Sequence, residues 1–224
     1  LPPQRTFRAR PFALGRLAAP LARQLRDPGL VCLFGLAFLL MGGFVTMYNY
    51  LGYQLVAPPY GLSQSVVGLV FVVYLLGTFS SAWMGRLADR AGRRETLWAG
   101  IAIMACGVAI TLASPLVIKI AGVGIATFGF FGAHSVASGW VGRRARSDRA
   151  QAAALYLFSY YAGSSIGGWA GGLFWARAGW PGVVGMIGAF LAVAAALSVA
   201  VAAAKPAAVR EGAVGAAGRT PPRA

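Results

Sequence analysis

Six apolar runs, each close to the length that crosses a lipid bilayer, constrain this chain more than any other feature. They lie at about 30–54, 64–85, 95–113, 115–141, 150–175 and 180–204. A helix of about 20 apolar residues spans the roughly 30 Å hydrocarbon core of a membrane. With 58% hydrophobic and only 11% charged residues, the composition excludes an ordinary soluble domain. The sequence therefore predicts an all-α integral membrane protein with six transmembrane helices.

The basic residues are distributed unevenly among the segments between these runs. Of the 20 Lys and Arg residues, all but Lys119 and Arg177 lie before the first run, after the second and fourth runs, or in the tail. Cytoplasmic segments of membrane proteins carry such an excess of positive charge. The preference for Arg over Lys is consistent with a high-GC bacterial genome. We therefore expect a bacterial inner-membrane protein with both ends cytoplasmic: a basic segment at 1–28, a transmembrane part at 29–204 and a disordered tail at 205–224.

The net charge of +15 would suggest a nucleic-acid partner if the protein were soluble. Here the basic residues alternate with apolar runs instead of forming one surface. We therefore expect membrane lipid as a partner, and no nucleic acid. Apolar residues at helical spacing within 12–26 also predict an amphipathic helix on the cytoplasmic surface.

The connection between the second and third runs reads GRLADRAGRR over residues 85–94. Asp89 places a fixed negative charge there, and Gly92 can adopt the left-handed conformation that ends a helix. Arg93 and Arg94 favour the anionic, cytoplasmic side of the membrane. The alternative is a positively charged loop that contains an incidental acid.

The spacing Gly-x-x-x-Asp-Arg-x-Gly-Arg-Arg resembles the signature loop of transporters of the major facilitator superfamily. The stretch 128–175 extends this resemblance, because FGFFGAHSVASGWVGRRAR and LYLFSYYAGSSIGGWAGG look like the C-terminal half of the YnfM-type branch of that family. The resemblance implies one half of a twelve-helix major facilitator fold, with the six runs as helices seven to twelve. Residues 1–28 would then be the end of the central cytoplasmic loop.

Several roles follow from this resemblance alone. It implies a secondary transporter that works by alternating access, with the missing N-terminal six-helix half as partner. It also implies that Asp89 contacts the start of a helix in that missing half. The gating residues that it implies all belong to the signature loop: Gly85, Asp89, Arg90, Gly92 and Arg93.

Glycines recur at every fourth position in the fifth run. Gly163, Gly167 and Gly171 predict a face on which two helix backbones pack closely. The run also resembles the family's antiporter motif, Gly-x-x-x-Gly-Pro-x-x-Gly-Gly, although Gly168 stands where that motif has Pro. Without the bend that Pro imposes, the direction of transport stays open.

Polar and aromatic side chains in the first and fifth runs are the candidates for binding a solute. They fall on helical stripes within otherwise apolar segments, where exposure to hydrocarbon would be costly. For Tyr53 the alternative is a place in the aromatic belt, which Tyr residues near a membrane boundary form. The candidate substrate-binding residues are Thr46, Asn49, Tyr50, Tyr53, Tyr156, Tyr160 and Ser164.

Two further ionisable residues lie within the fourth run. His134 is the chain's single histidine and is a candidate proton-linked residue, because histidine exchanges protons near neutral pH. The alternative is a neutral histidine hydrogen-bonded across a helix interface. Lys119 lies near one end of the run, from which its amine can extend to water.

The chain is not predicted to be an enzyme. Its five acids are scattered and its two cysteines lie inside apolar runs, so no metal site, nucleophile constellation or phosphate loop can be assembled, and no cofactor is expected. The predicted function is secondary active transport of small organic solutes by proton-coupled efflux. The alternatives are a uniporter, a sugar or metabolite importer of the same fold, and a non-transporting membrane scaffold subunit.

Overall fold

The computed structural model describes residues 15–145 and 147–204, and every regular element in them is helical. The first fourteen residues and the predicted tail lie outside the described residues. In chain order the elements are α1 (Gly15–Leu25), α2 (Pro28–Val56), α3 (Gln64–Leu69), a 3₁₀ turn (Val70–Tyr74), α4 (Leu75–Ala91), α5 (Arg93–Ile110), α6 (Leu116–Arg144) and α7 (Arg149–Ala203).

Within the described part of the chain, four helical stretches are long and apolar enough to cross a membrane. They are Pro28–Val56, the continuous rod Gln64–Ala91, Leu116–Arg144 and Arg149–Val201. These stretches confirm the all-α membrane class predicted from the sequence. α5 is shorter, with 18 residues that begin with the charged Arg-Arg-Glu sequence.

α7 is one element of 55 residues, but its backbone is not helical throughout. Ala178 has φ −142° and ψ 15°, and Gly179 has φ 57° and ψ −143°. A positive φ is accessible to glycine without a steric penalty. The break divides α7 into a first arm, 149–177, and a second arm, 180–203.

The first arm of α7 packs lengthwise on α2. A Cβ on Gly163 would collide with the carbonyl oxygen of Phe38, and one on Gly167 would lie 2.8 Å from the Cα of Gly42. One turn further on, Gly171 faces the side chain of Thr46. Because the contacting positions rise together along both helices, α2 and the first arm run parallel and in register.

α6 packs against four other helices, α2, α4, α5 and α7. Small residues let α5 pack closely against it in antiparallel fashion, with Gly107 against Ala126 and Gly129 against the backbone of Met104. α4 packs on another side, where Ser80 donates a hydrogen bond to the carbonyl of Phe128 (2.5 Å). α2 adds contacts near the middle of α6, so the residues around His134 lie between several helices.

The connection at residues 85–94 is shorter than the sequence suggested. α4 stays helical through Ala91, α5 begins at Arg93, and Gly92 alone separates them. Gly92 has φ 100° and ψ 147°, a conformation that residues with a side chain rarely adopt. The charged residues of this connection are therefore held on helical backbone at a one-residue corner.

Candidate functional site

Three of the predicted solute-binding residues meet at the C-terminal end of α2. The Tyr50 hydroxyl donates to the carbonyl of Gly168 (2.9 Å), and its ring lies 5.9 Å, centroid to centroid, from both Tyr53 and Trp175. Asn49 is exposed, and its amide nitrogen lies beside Gly168 on the first arm of α7. The sequence interpretation omitted Trp175, which joins this aromatic group from α7.

Thr46 belongs to the same sequence stripe but has a different environment. Its side chain is fully buried in the contact with Gly171. Its hydroxyl donates to the carbonyl of Gly42 one turn earlier (2.6 Å). Thr46 thus lies inside the α2–α7 interface, with its hydroxyl already used by its own helix.

Two of the predicted residues on the first arm of α7, Tyr156 and Tyr160, lie beside His134 on α6. The hydroxyl of Tyr156, a residue only 3% exposed, lies 3.0 Å from His134 Nδ1. The His134 ring lies 4.9 Å from the Tyr160 ring and stacks on Phe130 at 5.8 Å. Ser164, one turn beyond Tyr160, is half-buried. His134 therefore makes a hydrogen bond across a helix interface, and its ring packs against those of Phe130 and Tyr160.

The two groups of candidates are well separated along the helix. Tyr160 and Trp175 are fifteen residues apart on the same arm, which corresponds to roughly 22 Å of helix. The structure thus brings Asn49, Tyr50 and Tyr53 together at one level and His134, Tyr156 and Tyr160 at another.

A third aromatic group, which the sequence interpretation missed, extends the His134 group toward α2. Phe44 stacks on Phe130 at 3.9 Å, and Tyr74 lies 4.9 Å from Tyr48 and 5.9 Å from Phe131. Tyr74 ends the 3₁₀ turn that interrupts the rod Gln64–Ala91. A 3₁₀ segment inside a longer helix often marks a hinge. Nothing in the apolar runs distinguished these rings from ordinary lipid-facing or packing residues.

The acid of the signature loop has two partners within the chain. Asp89 Oδ1 accepts hydrogen bonds from Arg93 and from Arg143 at the end of α6, each at 2.9 Å. The Asp89 side chain is 56% exposed and that of Arg143 is 61% exposed. We call these three residues the Asp89 cluster. The three other predicted gating residues flank it: Arg90 is exposed, Gly85 faces Ser135 across the α4–α6 contact, and Gly92 forms the corner between α4 and α5.

A second ion pair lies beside the Asp89 cluster but is buried. Asp27 caps the start of α2 by accepting from the backbone N–H groups of Gly29 and Leu30. The same carboxylate oxygen accepts from Arg144 Nε at 2.7 Å, and the two side chains are only 9% and 6% exposed. Arg144 also donates to the carbonyl of Ala204 (3.1 Å). The pair thereby joins the start of α2 to the ends of α6 and α7.

The expectation that Lys119 extends to water is wrong. Lys119 is 2% exposed, and its ammonium group donates to the backbone carbonyl of Thr111. The nitrogen also lies 5.8 Å from the ring of Tyr60 and 5.4 Å from that of Trp180. Aromatic faces attract a cation at these distances. These contacts hold the amine inside, among the chain segments that connect the helices at this end.

Among the described residues, no group of three His, Cys, Asp or Glu side chains is placed to hold a metal ion. The geometry instead offers aromatic rings, amides and hydroxyls within helices of membrane-spanning length, and exposed ion pairs at the helix ends. These groups can bind and release an organic solute without covalent chemistry.

Comparison with known proteins identifies the family. The family model described as Major Facilitator Superfamily matches residues 30–223. The chain belongs to the major facilitator superfamily. Two of its relatives are described as transporters, and the family is the one whose signature loop the sequence resembles.

Individual relatives agree with this assignment. The chain is 49% identical over 198 residues to "Uncharacterized MFS-type transporter YybF" of Bacillus subtilis. The aligned region covers 88% of the chain and 49% of that protein. The chain is 45% identical over 194 residues to "Inner membrane transport protein YnfM" of Escherichia coli, covering 87% of the chain and 46% of the relative. The chain spans about half the length of the curated relatives it matches.

Proposed function

We propose that this chain forms one half of a secondary transporter that moves small organic solutes across a bacterial inner membrane by alternating access. In this proposal the six spans are α2, the rod Gln64–Ala91, α5, α6 and the two arms of α7. The break at Ala178–Gly179 supports counting α7 twice, because 55 helical residues are more than twice what a bilayer needs. In this proposal the partner is a second six-helix half, which is compatible with relatives about twice as long as this chain.

The proposed orientation has both ends of the chain in the cytoplasm. The basic residues support it, since Arg86, Arg90, Arg93 and Arg94 lie at the α4–α5 corner and Arg143 and Arg144 at the end of α6. The Asp89 cluster and the Asp27–Arg144 pair then both lie on the cytoplasmic side. Lys119 lies at the opposite, outer end.

The observation that carries the proposal is the Asp89 cluster at a one-residue corner. An exposed ion pair contributes at most about 1 kcal/mol, so thermal motion can open and re-form it. We propose that the cluster, with Gly85, Arg90 and Gly92 around it, is a cytoplasmic gate. In the closed state Asp89 would release an arginine and meet the start of a helix in the other half.

We propose that the solute passes along the aromatic faces of α2 and the first arm of α7. Asn49 supports this path, because an exposed primary amide in a spanning helix needs a polar partner. Tyr50, Tyr53 and Trp175 would contact the solute near the outer end, and Tyr160 and Ser164 deeper in the membrane. Rings and amides favour organic solutes with an apolar body and a few polar groups.

We also propose that efflux is coupled to protons through His134. The acids in the described residues lie at helix ends, at Asp27, Asp89, Glu95 and Asp148, so none lies at the middle of a span. His134 is positioned by its hydrogen bond to Tyr156 and lies beside the Tyr160 ring. A solute bound at Tyr160 would interact electrostatically with a protonated His134. Release of the proton would then favour binding of a cationic or neutral solute.

Solute and proton movement in everted vesicles tests the proposal. The complete protein is expressed, a panel of organic cations, sugars and metabolites is added, and proton flux is followed with a pH-sensitive dye. We expect solute-dependent proton efflux in the wild type. His134→Gln should uncouple the two fluxes, whereas Tyr156→Phe, which keeps the imidazole, should retain coupling. Solute flux without proton movement would instead make the protein a uniporter, and no flux above empty vesicles for the whole panel would favour a scaffold subunit.

A further inference from the structure

A cleft rich in arginine lies where α4 ends, α5 begins and α6 ends. It consists of two adjoining cavities of about 480 and 370 Å³ that share Asp89, Arg93 and Arg143 in their walls. Arg86 lines one cavity, while Arg94 and Glu95 line the other. We call this region the arginine cleft. With four arginines and two acids, it has a net charge of about +2 at neutral pH.

The charges within the cleft are only partly compensated by its own acids. Asp89 accepts from both Arg93 and Arg143, so one carboxylate oxygen serves two guanidinium groups. Arg86 and Arg94 are exposed and add two more cationic groups to the same walls. A guanidinium group binds phosphate oxygens in a bidentate manner and keeps its charge at any physiological pH. The cleft therefore favours a phosphate-bearing anion.

Tryptophans place the cleft at the level of lipid headgroups. Trp140 lines the larger cavity directly, while Trp83 on α4 is 43% exposed and Trp98 on α5 is 39% exposed. Trp83 and Trp98 are within two helical turns of the cleft, or roughly 10 Å along their helices. Tryptophan concentrates at membrane–water interfaces. A lipid whose phosphate group lies in the cleft would thus have its acyl chains level with the apolar faces of α4 and α5.

We propose that the arginine cleft binds the phosphodiester headgroup of an anionic phospholipid. Basic pockets between transmembrane helices on the cytoplasmic side bind such headgroups. A bound phosphate would also compete with Asp89 for Arg93 and Arg143, and would thereby loosen the Asp89 cluster. That effect on the gate rests on the proposed function, whereas binding of the lipid does not.

Lipid retention by the purified complete protein tests this proposal. The protein is reconstituted into nanodiscs of phosphatidylethanolamine with a minority of phosphatidylglycerol, and released lipids are counted by native mass spectrometry. We expect enrichment of phosphatidylglycerol on the wild type. The variant Arg86→Gln/Arg94→Gln should bind this lipid roughly thirtyfold more weakly, because two arginines near an anionic headgroup are lost. Glu95→Gln should shift retention in the opposite direction.

A matched control removes the same charge elsewhere on the same face. Arg23→Gln/Arg26→Gln alters two exposed arginines of the α1 region, outside the cleft, and should retain phosphatidylglycerol like the wild type. Equal loss in both double variants would reduce the effect to general surface charge and overturn the proposal. Equal retention of the two lipids by the wild type would do the same.

A free anion is distinguished from a lipid by a second measurement. Phosphatidylglycerol should raise the unfolding temperature of the wild type but not of Arg86→Gln/Arg94→Gln. If inorganic phosphate in pure phosphatidylethanolamine gives the same increase, the cleft takes a soluble anion and the lipid assignment is wrong. If the wild-type protein retains phosphatidylglycerol but transports no solute, the proposed function is wrong and the lipid proposal stands.

Discussion

Arg143 and Arg144 are neighbours in sequence at the end of α6, but their ion pairs have opposite environments. Arg143 is 61% exposed and meets the exposed Asp89, which it shares with Arg93. Arg144 is 6% exposed and meets the buried Asp27, while it also donates to the carbonyl of Ala204, the residue that follows α7. One turn of helix therefore carries both a solvent-accessible contact and a buried joint.

The difference shows that burial, more than the type of residue, decides what an ion pair can do. An exposed pair contributes about 0–1 kcal/mol and is screened by salt, so it suits a contact that opens during a transport cycle. Removal of one partner from a buried pair is far more costly, because the other charge loses its compensation in a poorly solvated site. We interpret the Asp89 cluster as a reversible contact and the Asp27–Arg144 pair as a fixed joint within this chain.

The largest expected effect is that of Arg144→Gln. It removes the guanidinium group from the buried Asp27 carboxylate and should lower the free energy of unfolding by about 3–5 kcal/mol. Unfolding of the purified protein in mixed detergent micelles measures the loss. Arg144→Lys, which keeps the charge but not the fork of donors, should recover part of it. A loss no greater than that of Arg143→Gln would remove the distinction between the two pairs.

An intermediate effect is expected for Gly92→Ala. Residue 92 has φ 100°, so a side chain there introduces backbone strain of about 1–3 kcal/mol. The strain should also displace Arg93 from Asp89 and weaken the exposed cluster. Gly85→Ala is the matched control, because a Cβ at that helical position would lie at an ordinary 3.8 Å from Ser135 Oγ. Equal stability of the two alanine variants would show that the corner does not depend on the positive φ.

The smallest expected effect on stability is that of Arg143→Gln. Because the Asp89–Arg143 pair is exposed, its loss should change the free energy of unfolding by less than about 1 kcal/mol. The change should vanish at about 1 M salt, where the Debye length is only 3 Å. Unfolding at low and high salt measures both quantities. A salt-independent loss of several kcal/mol would mean that Arg143, like Arg144, is part of a fixed joint.

The membrane class and the signature loop could be predicted because they depend on local sequence. Long apolar runs predict spanning helices from composition alone. Asp89 and Gly92 stand at the spacing of the family's signature loop. The length of the connection was not predictable in the same way, because Leu87 and Ala88 continue a helix as readily as they fill a loop. Only the positive φ of Gly92 fixes where the helix ends.

The residues that differ in burial could not be distinguished from the sequence. Arg143 and Arg144 are equivalent in any charge count, and the partners of Arg144 lie 117 and 60 positions away. Lys119 was expected to reach water because it lies near one end of its apolar run. Its partners Thr111, Tyr60 and Trp180 come from three separate connections. Tertiary packing, which helical periodicity does not encode, decides each of these cases.

The most direct test of the gate is the transport rate of Asp89→Asn, measured in everted vesicles with a solute that the wild type carries. Asp148→Asn is the control, since it neutralises another acid that pairs with an arginine, Arg23, at a helix end. We predict that Asp89→Asn slows transport about five- to thirtyfold, the shift that one or two exposed ion pairs support, while unfolding changes by less than about 1 kcal/mol. Transport by Asp89→Asn at the wild-type rate would contradict the assignment of the Asp89 cluster as the cytoplasmic gate.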